Sequence, residues 1–82
     1  MVEIIFTEEF KSIFSKIKDK TIKERIIKQI EKIKSYPEIG KPMRNARKGT
    51  RELYVGSFRF SYEYFKERNI ICLLDFYHKD EQ

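Results

Sequence analysis

The chain has 82 residues, a net charge of +5, 40% hydrophobic and 38% charged residues, one cysteine and one histidine. That length suits one small domain with one core. It has no apolar run near 18 residues to span a membrane, no N-terminal signal pattern, and no second cysteine for an internal disulfide, so the expected setting is cytoplasmic.

Val2 to Phe6 is apolar and β-branched, which predicts a first strand. Thr7 offers a helix N-cap, followed by Glu8 and Glu9 at the positive end of the macrodipole. Phe10, Ile13, Phe14 and Ile17 then recur as one apolar stripe of a helix. Lys18-Asp19-Lys20 breaks the pattern. Thr21 and Glu24 have capping-box spacing, and Ile22, Ile26, Ile30 and Ile33 mark a second helix. It should end near Ser35-Tyr36, because Pro37 disfavours helical geometry in the residue before it.

Residues 37–50 hold both prolines and two of the three glycines and read as a loop. The segment 51–64, RELYVGSFRFSYEY, reads as a β-hairpin. Gly56-Ser57 suits a type II′ turn, which pairs Val55 with Phe58, Tyr54 with Arg59, Leu53 with Phe60 and Glu52 with Ser61. Alternation then puts Leu53, Val55, Phe58, Phe60, Tyr62 and Tyr64 on a core face. Glu52, Tyr54, Arg59, Ser61 and Glu63 fall on a face expected to meet water. Residues 66–69 form a polar turn, and Ile70 to Tyr77 is a last, interior strand that would bury Cys72 as a small hydrophobe. The order β-α-α-β-β-β predicts an α+β fold: a small antiparallel sheet with an αα-hairpin packed on one face, as a single domain over 1–82.

Positive charge is concentrated. Residues 41–51 carry five basic groups and no acid, whereas 1–40 are net +2 and 52–82 net −2. Such a block attracts polyanions through counterion release. No metal-ligand cluster, glycine-rich phosphate loop or cofactor motif is present, and no cofactor is expected. Cations and aromatics remain as candidates. Arg44, Arg47, Lys48 and Arg51 lie in or just after the loop, Arg59 and Tyr54 on the open face, and Tyr77, His78 and Lys79 at the end of the last strand. Arginine forks match phosphate oxygens, and tyrosines can stack unpaired bases. RNA brings its own nucleophile, the 2′-hydroxyl. A protein that cleaves it needs to align that group, neutralise developing charge and protonate the leaving oxygen. Arg59 and the basic loop suit the first two tasks. His78, the one residue of a type suited to exchanging protons near neutral pH, suits the third.

The hairpin resembles the RelE/ParE superfamily of toxins. Their pattern R-E-L-x-V-G-x-Y/F-R-x-x-Y is matched by Arg51, Glu52, Leu53, Val55, Gly56, Phe58, Arg59 and Tyr62. The resemblance covers nearly the whole chain. It implies a toxin neutralised by a cognate antitoxin, RelB-like, small and acidic. In the RelE branch the toxin cleaves mRNA at the ribosome; in the ParE branch it inhibits DNA gyrase. By the same resemblance Arg59 contacts the scissile phosphate, and His78 or Lys79 is the basic residue after the last strand. Phe76-Tyr77-His78 is similar to the YoeB-like ending, whose histidine is a general acid. The paired lysines of some RelE toxins are replaced by Glu52 and Tyr54, and Met43 stands near the acidic position of YoeB-like toxins. A terminal tyrosine that some RelE toxins use is also missing. The general base is thus unassigned, Glu52 being a candidate by position. The expected function is an mRNA endoribonuclease; the alternatives are a gyrase inhibitor and a non-catalytic RNA-binding module.

Overall fold

The computed structural model describes residues 2–42, 49–78 and 80. In chain order the elements are β1 (Glu3–Phe6), α1 (Glu8–Lys16), α2 (Lys20–Ser35), β2 (Lys41–Pro42), β3 (Thr50–Val55), β4 (Phe58–Phe65) and β5 (Ile70–His78). The sheet order is β1-β5-β4-β3-β2.

Thr7 caps α1 as expected, its hydroxyl accepting from the Phe10 amide. The same hydroxyl donates to the Leu73 carbonyl at 2.7 Å, which ties the start of the helix to β5. The second helix starts earlier than the capping-box spacing predicts. Asp19 is its N-cap, with Oδ1 accepting from the amides of Thr21 and Ile22. A carboxylate there also meets the positive end of the macrodipole. The helix ends at Ser35, directly before Tyr36 and Pro37.

The predicted antiparallel meander is present in β3, β4 and β5. The whole sheet is mixed, because β1 joins β5 in parallel and the two helices lie in the connection such a pairing requires. Phe10, Ile26, Ile30 and Ile33 from the helices meet Val55, Phe60, Tyr62, Ile71, Leu73 and Phe76 from the sheet in one core. On this helical side, Val2, Ile4, Phe6, Phe14 and Ile27 line an apolar cleft of about 640 Å³. No helix among the described residues is long and apolar enough to cross a membrane.

The hairpin register is the one the turn predicts. Gly56 takes φ 61°, and Ser57 has no positive φ, the combination that distinguishes type II′ from type I′. Between β4 and β5 the register shifts once. Ser61 pairs with Asp75 but Tyr62 pairs with Leu73, leaving Leu74 as the extra residue. The shift puts Ile71, Leu73 and Phe76 together in the core although their spacing is irregular. It also places Cys72 opposite Glu63 on the other face, where the thiol is half-buried and not a core hydrophobe. Partial burial, with a smaller contribution from Glu63, pushes that thiol's pKa up.

Part of the expected loop is sheet. Lys41-Pro42 form an edge strand paired with Glu52 and Arg51. Tyr62 holds its approach, accepting from the Gly40 amide at 2.9 Å and donating to the Pro37 carbonyl at 2.8 Å. Gly40 suits the place because a Cβ there would lie 2.7 Å from the Tyr62 oxygen and 2.9 Å from the Arg51 Cβ.

Candidate functional site

Strand pairing arranges the face opposite the helices in cross-strand rows. One row is Tyr54, Arg59 and Tyr77. The next is Lys41, Glu52, Ser61 and Asp75, and beyond it stand Thr50, Glu63 and Cys72. Arg59 therefore sits on a central strand between two tyrosines.

The Arg59 guanidinium carbon lies 3.8 Å from the centroid of the Tyr54 ring. Such stacking contributes about 0.5–2 kcal/mol, more as the pair is desolvated. The Arg59 Nε is buried without a hydrogen-bond partner among the described residues. No described carboxylate forms a salt bridge with Arg59, although Glu52, Glu63 and Asp75 share its face. Glu52 instead accepts from the Tyr77 hydroxyl at 3.3 Å, and Asp75 accepts from the Phe76 amide at 2.8 Å. The face is less open than its polar sequence predicts. Ser61 is 0% exposed, its hydroxyl without a partner among the described residues, whereas Tyr54 is half exposed.

The structure brings together Tyr54, Arg59 and Tyr77 from the candidates. It does not bring His78 to the same face. His78 pairs with Phe58, and its ring meets the Phe58 ring edge-on at 5.2 Å, on the parity of Phe76. Its Nδ1 accepts from the Asp80 amide and lies 3.5 Å from that carboxylate. Arg51 is also committed elsewhere. Its guanidinium donates to the carbonyls of Glu38 and Gly40 at 2.9 and 2.8 Å and lies 3.7 Å from the Glu38 carboxylate. These contacts hold the backbone of residues 38–40 that leads into β2. Arg44, Arg47, Lys48 and Lys79 lie outside the described residues.

Sequence reasoning missed two members of the face. The sequence places Lys41 in a loop, yet β2 sets it directly opposite Glu52. Alternation along the strand points Ser61 to solvent, yet Ser61 is buried. A two-residue strand containing proline carries little periodic signal, and burial by neighbouring long side chains carries none. Among the described residues no group of three or more His, Cys, Asp or Glu is placed to hold a metal. The face can position an anion against Arg59 and accept a proton at a nearby carboxylate.

Comparison with known proteins agrees with this fold. The model of the ParE toxin of type II toxin–antitoxin systems, parDE, matches residues 4–82. No curated protein sequence matches the chain. Among solved structures, the chain is similar to one in the RelBE2 toxin–antitoxin complex of Mycobacterium tuberculosis, with a TM-score of 0.82 at 22% identity, covering 94% of this chain and 96% of that one. It is also similar to one in the intact RelBE complex of E. coli, with a TM-score of 0.81 at 15% identity, covering 95% and 96%. The YoeB/ParE toxin of Agrobacterium tumefaciens gives a TM-score of 0.83 at 15% identity, covering 94% and 98%. At these identities the structural likeness establishes the fold, and the family match spans almost the whole sequence. The chain belongs to the ParE toxin family of type II toxin–antitoxin systems, within the RelE-like fold.

Proposed function

We propose that the protein is the toxin of a type II toxin–antitoxin pair and acts in the cytoplasm as an endoribonuclease on ribosome-associated mRNA. The observation that carries this reading is Arg59, stacked on Tyr54 at the centre of a sheet face and free of ion pairs among the described residues. In this reading Arg59 holds the scissile phosphate and neutralises the charge that develops as the 2′-hydroxyl attacks. The basic segment 41–51 draws in the RNA, with Arg44, Arg47 and Lys48 on its backbone and Tyr54 or Tyr77 against a base. The leaving 5′-oxygen takes its proton at the end of β5, from His78 or Lys79. His78 receives less support than Arg59, because its ring lies on the Phe58 side of the strand.

A cognate antitoxin neutralises the toxin. Relatives were solved as complexes with RelB-type antitoxins, and a net charge of +5 suits a small acidic partner.

The ParE family match favours a second reading, inhibition of DNA gyrase. Arg59→Ala separates the two. Under the ribonuclease reading the variant stays folded but loses mRNA cleavage and growth inhibition, and the wild-type protein leaves gyrase supercoiling intact. Cleavage undiminished in folded Arg59→Ala removes Arg59 from the site. Inhibited supercoiling without mRNA cleavage replaces the reading with the gyrase one.

A further inference from the structure

Glu52 and Arg59 are diagonal neighbours across the hairpin, on one face and in adjacent rows. Cβ atoms in such positions lie roughly 7–8 Å apart, within reach for two long side chains of opposite charge. Yet no salt bridge joins them. Each is held by a tyrosine instead: the guanidinium stacks on Tyr54 at 3.8 Å, and the carboxylate accepts from the Tyr77 hydroxyl at 3.3 Å. Tyr77 comes from the strand on the far side of Arg59, so its bond reaches diagonally over the Ser61 position. The Arg59 Nε and the Ser61 hydroxyl, two residues apart on β4, are left buried and without a partner among the described residues. The arrangement keeps a cation and a carboxylate apart on one surface and leaves unmet hydrogen-bonding capacity between them.

We propose that Glu52 is the general base of the ribonuclease reaction and that Tyr77 is its positioning residue, an assignment that rests on the ribonuclease reading above. A ribose 2′-hydroxyl and its adjacent phosphate carry a proton donor beside an anion, which is the complement of Glu52 beside Arg59. With the phosphate on Arg59, a Glu52 carboxylate oxygen takes the 2′-hydroxyl proton while the oxygen's electron pair forms the new bond to phosphorus. The bond from phosphorus to the 5′-oxygen breaks, and that oxygen leaves with a proton from the end of β5 or from water. The products are a 2′,3′-cyclic phosphate and a 5′-hydroxyl. Asp75 also stands diagonal to Arg59, but its carboxylate is turned to its own chain, accepting from the Phe76 amide. Glu63 lies one row further away. Among the described residues, the groups that face Glu52 are Lys41 on β2, Arg59, Ser61 and Glu63 on β4, and Asp75 and Tyr77 on β5, with Thr50 and Tyr54 beside it on β3.

The test is a rate–pH profile of mRNA cleavage on translating ribosomes by the full chain and its variants. Glu52→Gln should lower kcat by about 10²-fold or more, the range for removal of a general base, without raising KM. It should also flatten the acidic limb of the profile. Tyr77→Phe, which leaves the carboxylate in place, should lower kcat and keep the limb. Asp75→Asn should leave both unchanged. Wild-type cleavage and an unchanged limb in Glu52→Gln, with Arg59→Ala inactive, would overturn the assignment and leave the ribonuclease reading standing. Loss of the limb in Asp75→Asn would move the role to Asp75. Should Glu52→Gln fail to fold, an unaltered kcat in Tyr77→Phe would still overturn the proposed positioning. A wild-type protein that cleaves no mRNA would remove both readings.

Discussion

Arg51 and Arg59 belong to the same hairpin but lie on opposite faces of it. Alternation along paired strands decides this, and their chemistry follows from it. Arg51 spends its guanidinium on the Glu38 and Gly40 carbonyls and the Glu38 carboxylate. Arg59 is stacked and without an ion pair among the described residues. Arg51→Ala should therefore lower stability by about 1–3 kcal/mol, because it orphans carbonyls that now meet a charged donor. Thermal melting checks this, with Arg59→Ala as the comparison; equal melting losses in the two variants would contradict the division of roles. The identity of Arg59 as the residue of interest was legible in the sequence, since the turn residues fix its row. The burial of Ser61 and the placement of His78 were not. Both depend on the β4–β5 register, where a single extra residue at Leu74 shifts the pairing of everything before or after it.

Among the elements, the hairpin was the most legible, since Gly56-Ser57 and strict alternation leave one register. The helices were nearly as clear, with Asp19 outcompeting Thr21 for the second cap. The segment 37–42 was the least clear, because tertiary bonds hold it. Tyr62 is fully buried and binds both the Pro37 carbonyl and the Gly40 amide. Burial pushes the Tyr62 phenol above its ordinary pKa, and the Gly40 amide and Arg51 only partly oppose this. A phenol whose pKa is raised on folding stabilises the fold fully below its unfolded value, about 10. That stability is lost as pH rises through the higher folded value. Tyr62→Phe should thus be less stable than wild type at pH 7 by about 1–3 kcal/mol, for the unpaired backbone groups it leaves. It should then lose less stability than wild type across the window that opens at about pH 10 and extends upward. Denaturant unfolding below and within that window gives the result, and equal alkaline losses would contradict it.

For the molecule as a whole, the helices and the cleft beside β1 occupy one side of the sheet, and the candidate site occupies the other. The charge is divided in a similar way along the sequence. The described part of the site face pairs Lys41 and Arg59 with Glu52, Glu63 and Asp75, so it is not itself a basic surface. In the proposed reading, attraction for a polyanion comes from the net +5 of the sequence segment 41–51. The fold class and the family were legible because the β3-β4-β5 meander and the hairpin motif are local, whereas the parallel pairing of β1 with β5 is not. The chemistry was less so, because the residues around Arg59 come from four strands. The central claim is that this face breaks RNA through the RNA's own 2′-hydroxyl, and the ends of the cleaved strand report on it most directly. With mRNA on translating ribosomes, the account predicts a 2′,3′-cyclic phosphate upstream of the cut and a 5′-hydroxyl downstream, and no cut where the upstream nucleotide is 2′-deoxy. A 5′-phosphate end, or cleavage undiminished at the 2′-deoxy position, would contradict it.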